Sequence, residues 1–240
     1  MADGSRHTNF LSRIRPHLDR LTRSPIYDLA MRVPVIGWST ALAVSAAVGL
    51  AQYVRTADPA LPSAVFAVGA MMRLSVIAYL VILAATVVMR KPPIGKLRGT
   101  GPRASAFIGT FLITAVVLFP RRELSLAAGI ASTLLILAGD GFAVAALVQL
   151  RLSFSIMPEA RELVITGPYR LVRHPLYLAE AIATIGSVIQ FLSVWTVILL
   201  ALQLMFQLRR IENEEVVLTK AFPHYAVYKQ TTARLIPGIY

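Results

Sequence analysis

Long apolar runs dominate this sequence and leave few folds open to it. Four runs are each close to the length of about 20 residues that a helix needs to cross a bilayer, and a fifth is too long for one crossing. The runs cover residues 34–54, 65–89, 105–119, 124–150 and 175–208. We divide the fifth run near Gln190–Ser193 into two spans. The sequence therefore predicts an all-α, polytopic membrane protein with about six transmembrane helices, the last two forming a C-terminal helical hairpin.

Basic residues are distributed unevenly between the loops that join these spans. Of the 24 Lys and Arg residues, all but four lie in segments that a cytoplasmic N-terminus places in the cytoplasm. The exceptions are Arg55, Arg121 and Arg122 in the outside loops and Arg73 within a span. Because Lys and Arg concentrate in cytoplasmic loops, we predict that both termini are cytoplasmic. In such a protein, the net charge of +12 indicates anionic membrane lipids as partners and not nucleic acid.

Residues 1–33 form a basic cytoplasmic segment ahead of the first span. Its apolar residues recur at helical spacing, at Phe10, Leu11, Ile14, Leu18 and Leu21. This spacing predicts an interfacial amphipathic helix, and a disordered basic tail is the alternative. The first 30 residues lack the apolar stretch of a secretory signal, so we expect no cleaved signal peptide.

A polar loop precedes the predicted hairpin. The stretch "GPYRLVRHPLY", residues 167–177, places two arginines, a histidine and two tyrosines between apolar runs. Pro175 favours a helix start after His174, because the N–H that proline lacks has no partner at that position. The free N–H groups at this start and the Arg173 guanidinium favour an anionic group such as a carboxylate. A positive-inside loop explains the arginines, but it does not require this compact combination of residues.

A second polar stretch, residues 209–240, follows the hairpin. Arg210 and Glu214 lie one helical turn apart, and Glu215 is adjacent. An apolar face then follows at three- or four-residue steps, formed by Leu218, Phe222, Tyr225 and Tyr228. We expect the last transmembrane helix to continue to near Lys220. A salt-bridged helix lying on the bilayer surface is the alternative interpretation.

Several other chemistries lack their residue patterns in this sequence. There are no cysteines, which excludes thiolate metal sites and a cysteine nucleophile. The four histidines do not show the spacing of a histidine-rich di-iron site, and the aspartates are scattered. No glycine-rich phosphate loop of recognised spacing occurs. We therefore predict no metal site.

Two charged residues, Arg73 and Asp140, fall inside predicted spans. Charges inside a membrane are costly and usually face a partner or a cavity. A structural ion pair between the two is one interpretation. Contact with a substrate and a misplaced span edge are the others.

Together the two polar stretches supply cations, carboxylates and aromatic rings at one predicted interface. Aromatic faces favour a sulfonium or ammonium centre. Carboxylates suit ribose hydroxyls or an amino group. This combination suits a zwitterionic cofactor with a cationic centre.

The loop and the later motif Arg210-x3-Glu214-Glu215-x2-Leu218-x3-Phe222-x2-Tyr225-x2-Tyr228 resemble a known superfamily. It comprises the isoprenylcysteine carboxyl methyltransferases and phospholipid methyltransferases, which are integral membrane enzymes. The resemblance covers residues 140–240, which we take as a methyltransferase core, with residues 34–139 as additional transmembrane helices. It implies S-adenosylmethionine in a cytoplasm-facing pocket. It also implies methyl transfer, as a carboxyl O-methyltransferase in our interpretation, to an isoprenylcysteine carboxylate-like or phospholipid-like acceptor.

The resemblance also implies roles for individual residues. The cofactor-binding candidates are Tyr169, His174, Pro175, Tyr177, Glu214 and Glu215. The catalytic candidates are Arg173 and Glu214. The substrate candidates are Arg173, Glu180 and Arg210. One departure is Ala179-Glu180, where the family pattern has a small residue followed by an apolar one.

Two further classes of function stay open from sequence. One is a membrane reductase of related architecture that uses a nicotinamide cofactor, and the other is a transporter or non-catalytic membrane protein. Binding of S-adenosylmethionine discriminates between the three. The sequence does not select among a carboxylate, an amine and a thiol as the methylated group, and it gives no oligomeric state.

Overall fold

The computed structural model describes residues 25–59, 62–97 and 99–238, with the backbone alone at residues 25–28 and 31. Seven α-helices carry most of this part of the chain. They are α1 Pro25–Arg55, α2 Ser63–Met89, α3 Thr100–Phe111, α4 Leu126–Leu150, α5 Pro175–Gln190, α6 Val194–Ala221 and α7 Tyr225–Thr231. The predicted interfacial helix around Phe10–Leu21 lies outside the described residues.

Short elements connect the helices. A 3₁₀ helix, Leu112–Leu118, extends α3, and two more cover Arg151–Ser153 and Gly167–Arg170. Two-residue strands, β1 Gly95–Lys96 and β2 Glu159–Ala160, pair antiparallel. The prediction of an all-α protein is confirmed, since these two short strands form the one sheet in the described part of the chain.

Within the described residues, five segments are long and apolar enough to cross a membrane. They are Arg32–Arg55, Ser63–Met89, Thr100–Leu118, Leu126–Ser153 and Val194–Ala221. These correspond to five of the six predicted spans and confirm a polytopic membrane protein, whereas the predicted span at the start of the hairpin, α5, is not among them. Helix α5 has 16 residues, about 24 Å at 1.5 Å per residue, and forms the shorter arm of the hairpin.

The hairpin turn falls where the sequence predicts it, between Gln190 and Val194. The Ser193 hydroxyl accepts a hydrogen bond from the Thr196 amide at 3.2 Å, and the Ser193 amide donates to the Thr196 hydroxyl at 2.9 Å. This reciprocal capping satisfies two N–H groups at the start of α6. It fixes the point at which the long apolar run divides.

Small residues bring α4 and α5 into close contact. A side chain at Gly139 would meet the Ala183 backbone nitrogen at 2.5 Å, so only glycine fits there. Gly186 faces α4 in the same way, and its carbonyl accepts a hydrogen bond from Ser132 at 2.8 Å. Small residues that allow helices to approach are typical of membrane helix packing. This packing holds α5, which begins at the polar loop, in a fixed place.

The basic loops meet at one end of the helix bundle. Arg32 donates to the carbonyl of Val88 at 2.6 Å, and the Lys91 amide donates to the Leu152 carbonyl at 2.9 Å. At the opposite end, the Arg122 amide donates to the Gln190 carbonyl at 2.9 Å. The loops predicted to share a side of the membrane therefore share an end of the bundle. That this end is cytoplasmic stays a prediction from the charge distribution.

The two charges within the spans do not pair with each other. Arg73 donates to the Gly69 carbonyl at 2.9 Å, and its guanidinium carbon lies 3.9 Å from the Tyr53 ring centre. Asp140 accepts a hydrogen bond from Ser75 at 3.3 Å. Each charge therefore has its own neighbours, and the interpretation of an Arg73–Asp140 pair is wrong.

Candidate active site

The polar loop, residues 167–177, is anchored to the C-terminal tail. The Arg173 amide donates to the Ala233 carbonyl at 2.8 Å, and the His174 amide donates to the Arg234 carbonyl at 3.1 Å. The Tyr228 hydroxyl donates to the carbonyl of Tyr169. These bonds are formed between segments about sixty residues apart. They give the loop a single defined path into α5.

Glu215 forms ion pairs with both the loop and the tail. Its carboxylate accepts hydrogen bonds from Arg173 Nε at 3.0 Å and from Arg234 Nη2 at 2.8 Å. Lys229 Nζ and His174 Nε2 each lie 3.3 Å from it. Glu215 is 3% exposed, so these contacts replace the water that the buried carboxylate lacks.

A cleft opens on the other side of the loop. Its volume is about 450 Å³ when the solvent at its open mouth is included. Its lining comes from the end of α4, the segment after it, the polar loop, the start of α5 and the polar part of α6. The lining residues are Leu150, Ser153, Phe154, Ser155, Glu159, Tyr169, His174, Leu176, Tyr177, Arg210 and Glu214.

Three side chains form the polar wall of this cleft between α5 and α6. The Tyr177 hydroxyl donates to Glu214 Oε2 at 3.0 Å. The Arg210 guanidinium carbon lies 4.9 Å from the centre of the Tyr177 ring. Arg210 is 6% exposed, and its Nε has no hydrogen-bond partner. A buried donor without a partner is costly, so this N–H favours an acceptor in the cleft.

Glu180 lies below this wall and toward the membrane. It accepts hydrogen bonds from the Tyr79 hydroxyl at 3.2 Å and from Gln207 Nε2 at 3.4 Å. Gln207 also donates to the Tyr177 carbonyl at 2.9 Å. Glu180 and Gln207 thus link the first turns of α5 to α2 and α6 by hydrogen bonds. Ala179, beside Glu180, is fully buried.

The tyrosines around the loop stay neutral at physiological pH. Burial raises the pKa of Tyr169 well above its usual range and that of Tyr228 to about 12. Their hydroxyls therefore act as hydrogen-bond donors and not as bases. Tyr169 presents a neutral aromatic ring to the cleft.

The predicted site residues separate into three groups. Those that line the cleft are Tyr169, His174, Tyr177, Arg210 and Glu214. Arg173 and Glu215 instead form the buried ion pair that joins the loop to the tail. Pro175 is buried at the first position of α5, and Glu180 lies in the layer below. The roles of all of them toward a cofactor or substrate stay predictions.

Sequence reasoning missed two sets of residues. Lys229 and Arg234 complete the contacts of Glu215, but isolated basic residues in a tail carry no spacing signal. Phe154 and Glu159 line the cleft from an irregular segment without helical periodicity. Glu159 accepts from Arg161 Nη2 at 2.6 Å, within the part of the chain that pairs with β1.

The chemistry of the cleft lining suits the cofactor that the resemblance implies. Two aromatic rings, Tyr169 and Tyr177, suit a sulfonium. The Glu214 carboxylate suits hydroxyl or amino donors. Throughout the described residues, no three His, Asp or Glu side chains are grouped to hold a metal ion.

Comparisons with known proteins bear on the same region. Residues 125–224 match the family model described as phospholipid methyltransferase. The chain is 38% identical over 79 residues to the cobalt-zinc-cadmium resistance protein CzcN of Cupriavidus metallidurans, covering 32% of this chain and 36% of that protein. It is 31% identical over 83 residues to the nickel-cobalt-cadmium resistance protein NccN of Alcaligenes xylosoxydans xylosoxydans, covering 34% and 38% respectively. The matched part thus spans little more than a third of each relative.

The family match begins at Ser125, the residue that caps α4, and ends at His224, just before α7. It therefore contains α4, the polar loop, α5 and α6, which together build the cleft. The family indicates methyltransferase activity in a membrane protein. Residues 125–224 thus match the phospholipid methyltransferase family model, and that family lies within the isoprenylcysteine carboxyl methyltransferase-like superfamily.

Proposed function

We propose that this protein transfers a methyl group from S-adenosylmethionine to a lipophilic acceptor at the cytoplasmic membrane interface. One observation carries the proposal. The residues that line the cleft lie within the part of the chain that matches the methyltransferase family. A cleft between membrane helices, with converging aromatic and charged groups, is a common form of small-molecule site.

The lining suggests which residues hold the cofactor. The rings of Tyr169 and Tyr177 would lie against the sulfonium. Glu214, oriented by the Tyr177 hydroxyl at 3.0 Å, would accept hydrogen bonds from ribose hydroxyls or the amino group. His174 would shape the pocket from the loop side. When bound, S-adenosylmethionine supplies a methyl group whose C–S bond breaks as the acceptor atom bonds to it, and the electron pair stays on the sulfur of S-adenosylhomocysteine.

The chain contributes mainly orientation and a low-polarity environment. Holding donor and acceptor in line converts a bimolecular reaction into an effectively unimolecular one. When a carboxylate attacks a sulfonium, opposite charges neutralise, so a site that excludes water favours the step. Arg210 offers its free Nε to orient such a carboxylate. We therefore favour carboxyl O-methylation of an amphiphilic acid.

A phospholipid amine or a thiol is the other acceptor that fits. It would lose a proton during the reaction, which requires a base. His174 and Glu214 line the cleft, and Glu180 lies below it. The base in that case is one of these three residues.

The test uses purified protein in lipid bilayers, methyl-tritiated S-adenosylmethionine and the lipid extract of host membranes. We expect binding of S-adenosylmethionine by calorimetry and tritium in the lipid fraction. Release of the label by mild base identifies a methyl ester, whereas a methylated amine or thioether retains it. A protein that binds no S-adenosylmethionine would favour the reductase or transporter alternatives.

A matched pair of variants links the activity to the cleft. Arg210→Ala removes a buried cleft residue, and we expect it to abolish labelling. Arg209→Ala removes its exposed neighbour, which pairs with Glu212 at 3.3 Å, and should leave labelling unchanged. Equal activity in both variants would contradict the proposed site.

A further inference from the structure

Helix α3 lies outside the family match, yet it docks on α6 beside the cleft through polar contacts. Asn213 Nδ2 donates to the Ser105 hydroxyl at 3.1 Å. The Gly109 carbonyl accepts from Gln203 Nε2 at 2.8 Å and from Arg210 Nη1 at 3.4 Å. Interhelical hydrogen bonds of this kind fix the position of one membrane helix against another. Helix α3 therefore helps to orient Arg210.

Gly109 makes this close approach possible. A side-chain carbon at that position would lie 2.8 Å from Arg210 Cδ and 3.3 Å from Phe206 Cβ. The absence of a side chain lets α6 rest directly on the backbone of α3.

A second cleft lies between α3 and α6. It is a narrow cleft, and its volume of about 190 Å³ includes the solvent at its open mouth. Its lining residues are Pro102, Ala106, Ile156, Met157, Pro158, Tyr177, Arg210, Asn213 and Glu214. The walls from α3 and the segment 156–158 are apolar, whereas the polar side chains come from α5 and α6. Such a cleft matches an amphiphile whose apolar part lies against α3 and whose polar head faces α6.

The two clefts share three residues, which are Tyr177, Arg210 and Glu214. A ligand in either cleft reaches the same three side chains. The first cleft adds polar lining such as His174, Ser153 and Glu159, whereas the second adds mainly apolar lining. Two ligands of different polarity, one in each cleft, would therefore meet at the shared residues.

We propose that the second cleft is the acceptor site, and that α3, from outside the family match, forms the wall that selects an amphiphilic acceptor. This inference rests on the proposed methyl transfer. It assigns S-adenosylmethionine to the first cleft and the lipophilic acceptor to the second. Arg210 and Asn213 face the acceptor's polar head, and Ala106 and Met157 face its apolar part.

The absence of cysteine allows a direct test, because an introduced cysteine is the only thiol in the chain. Met157→Cys is purified, and half of it is treated with N-ethylmaleimide, which places a bulky group in the second cleft after folding. We compare tritium transfer into the host lipid extract before and after treatment of the same variant. We expect transfer to fall by about ten-fold or more, the equivalent of roughly 1.4 kcal/mol, while calorimetry gives an unchanged Kd for S-adenosylmethionine.

Ile94→Cys serves as the control, since Ile94 is 65% exposed and lines neither cleft. Its modification should change neither transfer nor cofactor binding. Pro102→Cys, at a partly buried position of α3 that lines the same cleft, repeats the test from α3 itself, in case Met157→Cys fails to fold. Unchanged transfer after modification of the cleft cysteine would overturn the inference, and so would a parallel loss of cofactor binding. Failure of the unmodified wild-type protein to bind S-adenosylmethionine or to transfer label would instead refute the proposed function.

Discussion

Glu214 and Glu215 are neighbours in the sequence but serve opposite sides of the same loop. Glu214 accepts a hydrogen bond from Tyr177 in the cleft. Glu215 is buried behind the loop, in contact with Arg173 and Arg234. Adjacent residues of an α-helix point about 100° apart, since 3.6 residues complete a turn. One glutamate therefore faces the proposed ligand and the other holds the loop in place.

Glu214→Gln is expected to weaken cofactor binding without loosening the fold. The amide can still accept from Tyr177, but the negative charge in the cleft is lost. A hydrogen bond to a charged group contributes about 1.5–3 kcal/mol, which corresponds to a Kd for S-adenosylmethionine that is raised about ten-fold or more. Calorimetry measures the affinity and a thermal melt in detergent checks the fold. An unchanged Kd would remove Glu214 from the proposed cofactor site.

Gly139→Ala is expected to destabilise the protein strongly. The new methyl group would lie 2.5 Å from the backbone nitrogen of Ala183 and 2.8 Å from the carbonyl of Ala179. Because backbone atoms cannot move aside cheaply, α4 and α5 must separate, at a cost of about 1–3 kcal/mol or more. Thermal melts in detergent measure the loss.

Gly141→Ala is the control for Gly139→Ala. It lies two residues along α4, and nothing is within 4 Å of its added methyl group. Alanine is preferred over glycine in a helix by about 0.8–1.0 kcal/mol, so this variant should melt at the same temperature or higher. Equal destabilisation by both substitutions would contradict the close α4–α5 contact.

Much of this arrangement can be predicted from the sequence. The lengths of the apolar runs predict the membrane spans, and the polar break at Gln190–Ser193 predicts the hairpin turn. Both signals depend on local composition. The proline after His174 marks the start of α5 because its effect on the backbone is local. The family resemblance indicates that the loop and the later motif belong to one site.

Long-range contacts could not be predicted in this way. Arg234 reaches Glu215 only because residue 233 pairs with residue 172, and no local pattern encodes that bridge. The docking of α3 on α6 depends on one glycine, Gly109, among 14 in the chain. The separate roles of Glu214 and Glu215 depend on which face of α6 meets the loop. Each of these follows from tertiary packing and not from periodicity.

We expect the folded protein to lose stability at alkaline pH because the Tyr228 hydroxyl is partly buried. Burial raises its pKa to about 12 in the folded protein, compared with about 10 in an unfolded chain. The folded state therefore keeps this proton over a range in which the unfolded state loses it. The stabilisation is complete below about pH 10 and is lost as the pH rises through about 12.

Tyr228→Phe isolates this effect. The variant also loses the hydrogen bond to the Tyr169 carbonyl. We expect wild type to melt at a higher temperature than the variant by a constant margin up to about pH 10, with the margin shrinking above it. Melting curves of both proteins across this range measure the margin. A margin independent of pH up to about 12 would show that the Tyr228 hydroxyl does not titrate in this way.

The charge distribution predicts the side of the membrane on which the loop lies. Single cysteines can be placed at Glu123, an exposed residue between spans, and at Leu171 in the loop, which is 66% exposed. An impermeant maleimide should label Glu123→Cys in intact cells but not Leu171→Cys, because the basic end faces the cytoplasm. Permeabilised cells should show both labelled. The reverse pattern in intact cells would place the proposed site outside.

Glu215→Gln is expected to destabilise the loop and the tail together. Glu215 and Arg173 have side chains 4% and 8% exposed, and removing one partner of a buried ion pair costs about 3–5 kcal/mol. The tail residues Lys229 and Arg234 lose the same partner. We therefore expect a clearly lower melting temperature and faster proteolysis of the tail after residue 221.

Glu212→Gln, three residues earlier on α6, removes an exposed partner of Arg209 and should change the stability by less than about 0.5 kcal/mol. If Glu215→Gln melted like Glu212→Gln while cofactor affinity fell, Glu215 would be a ligand residue and not the link between loop and tail.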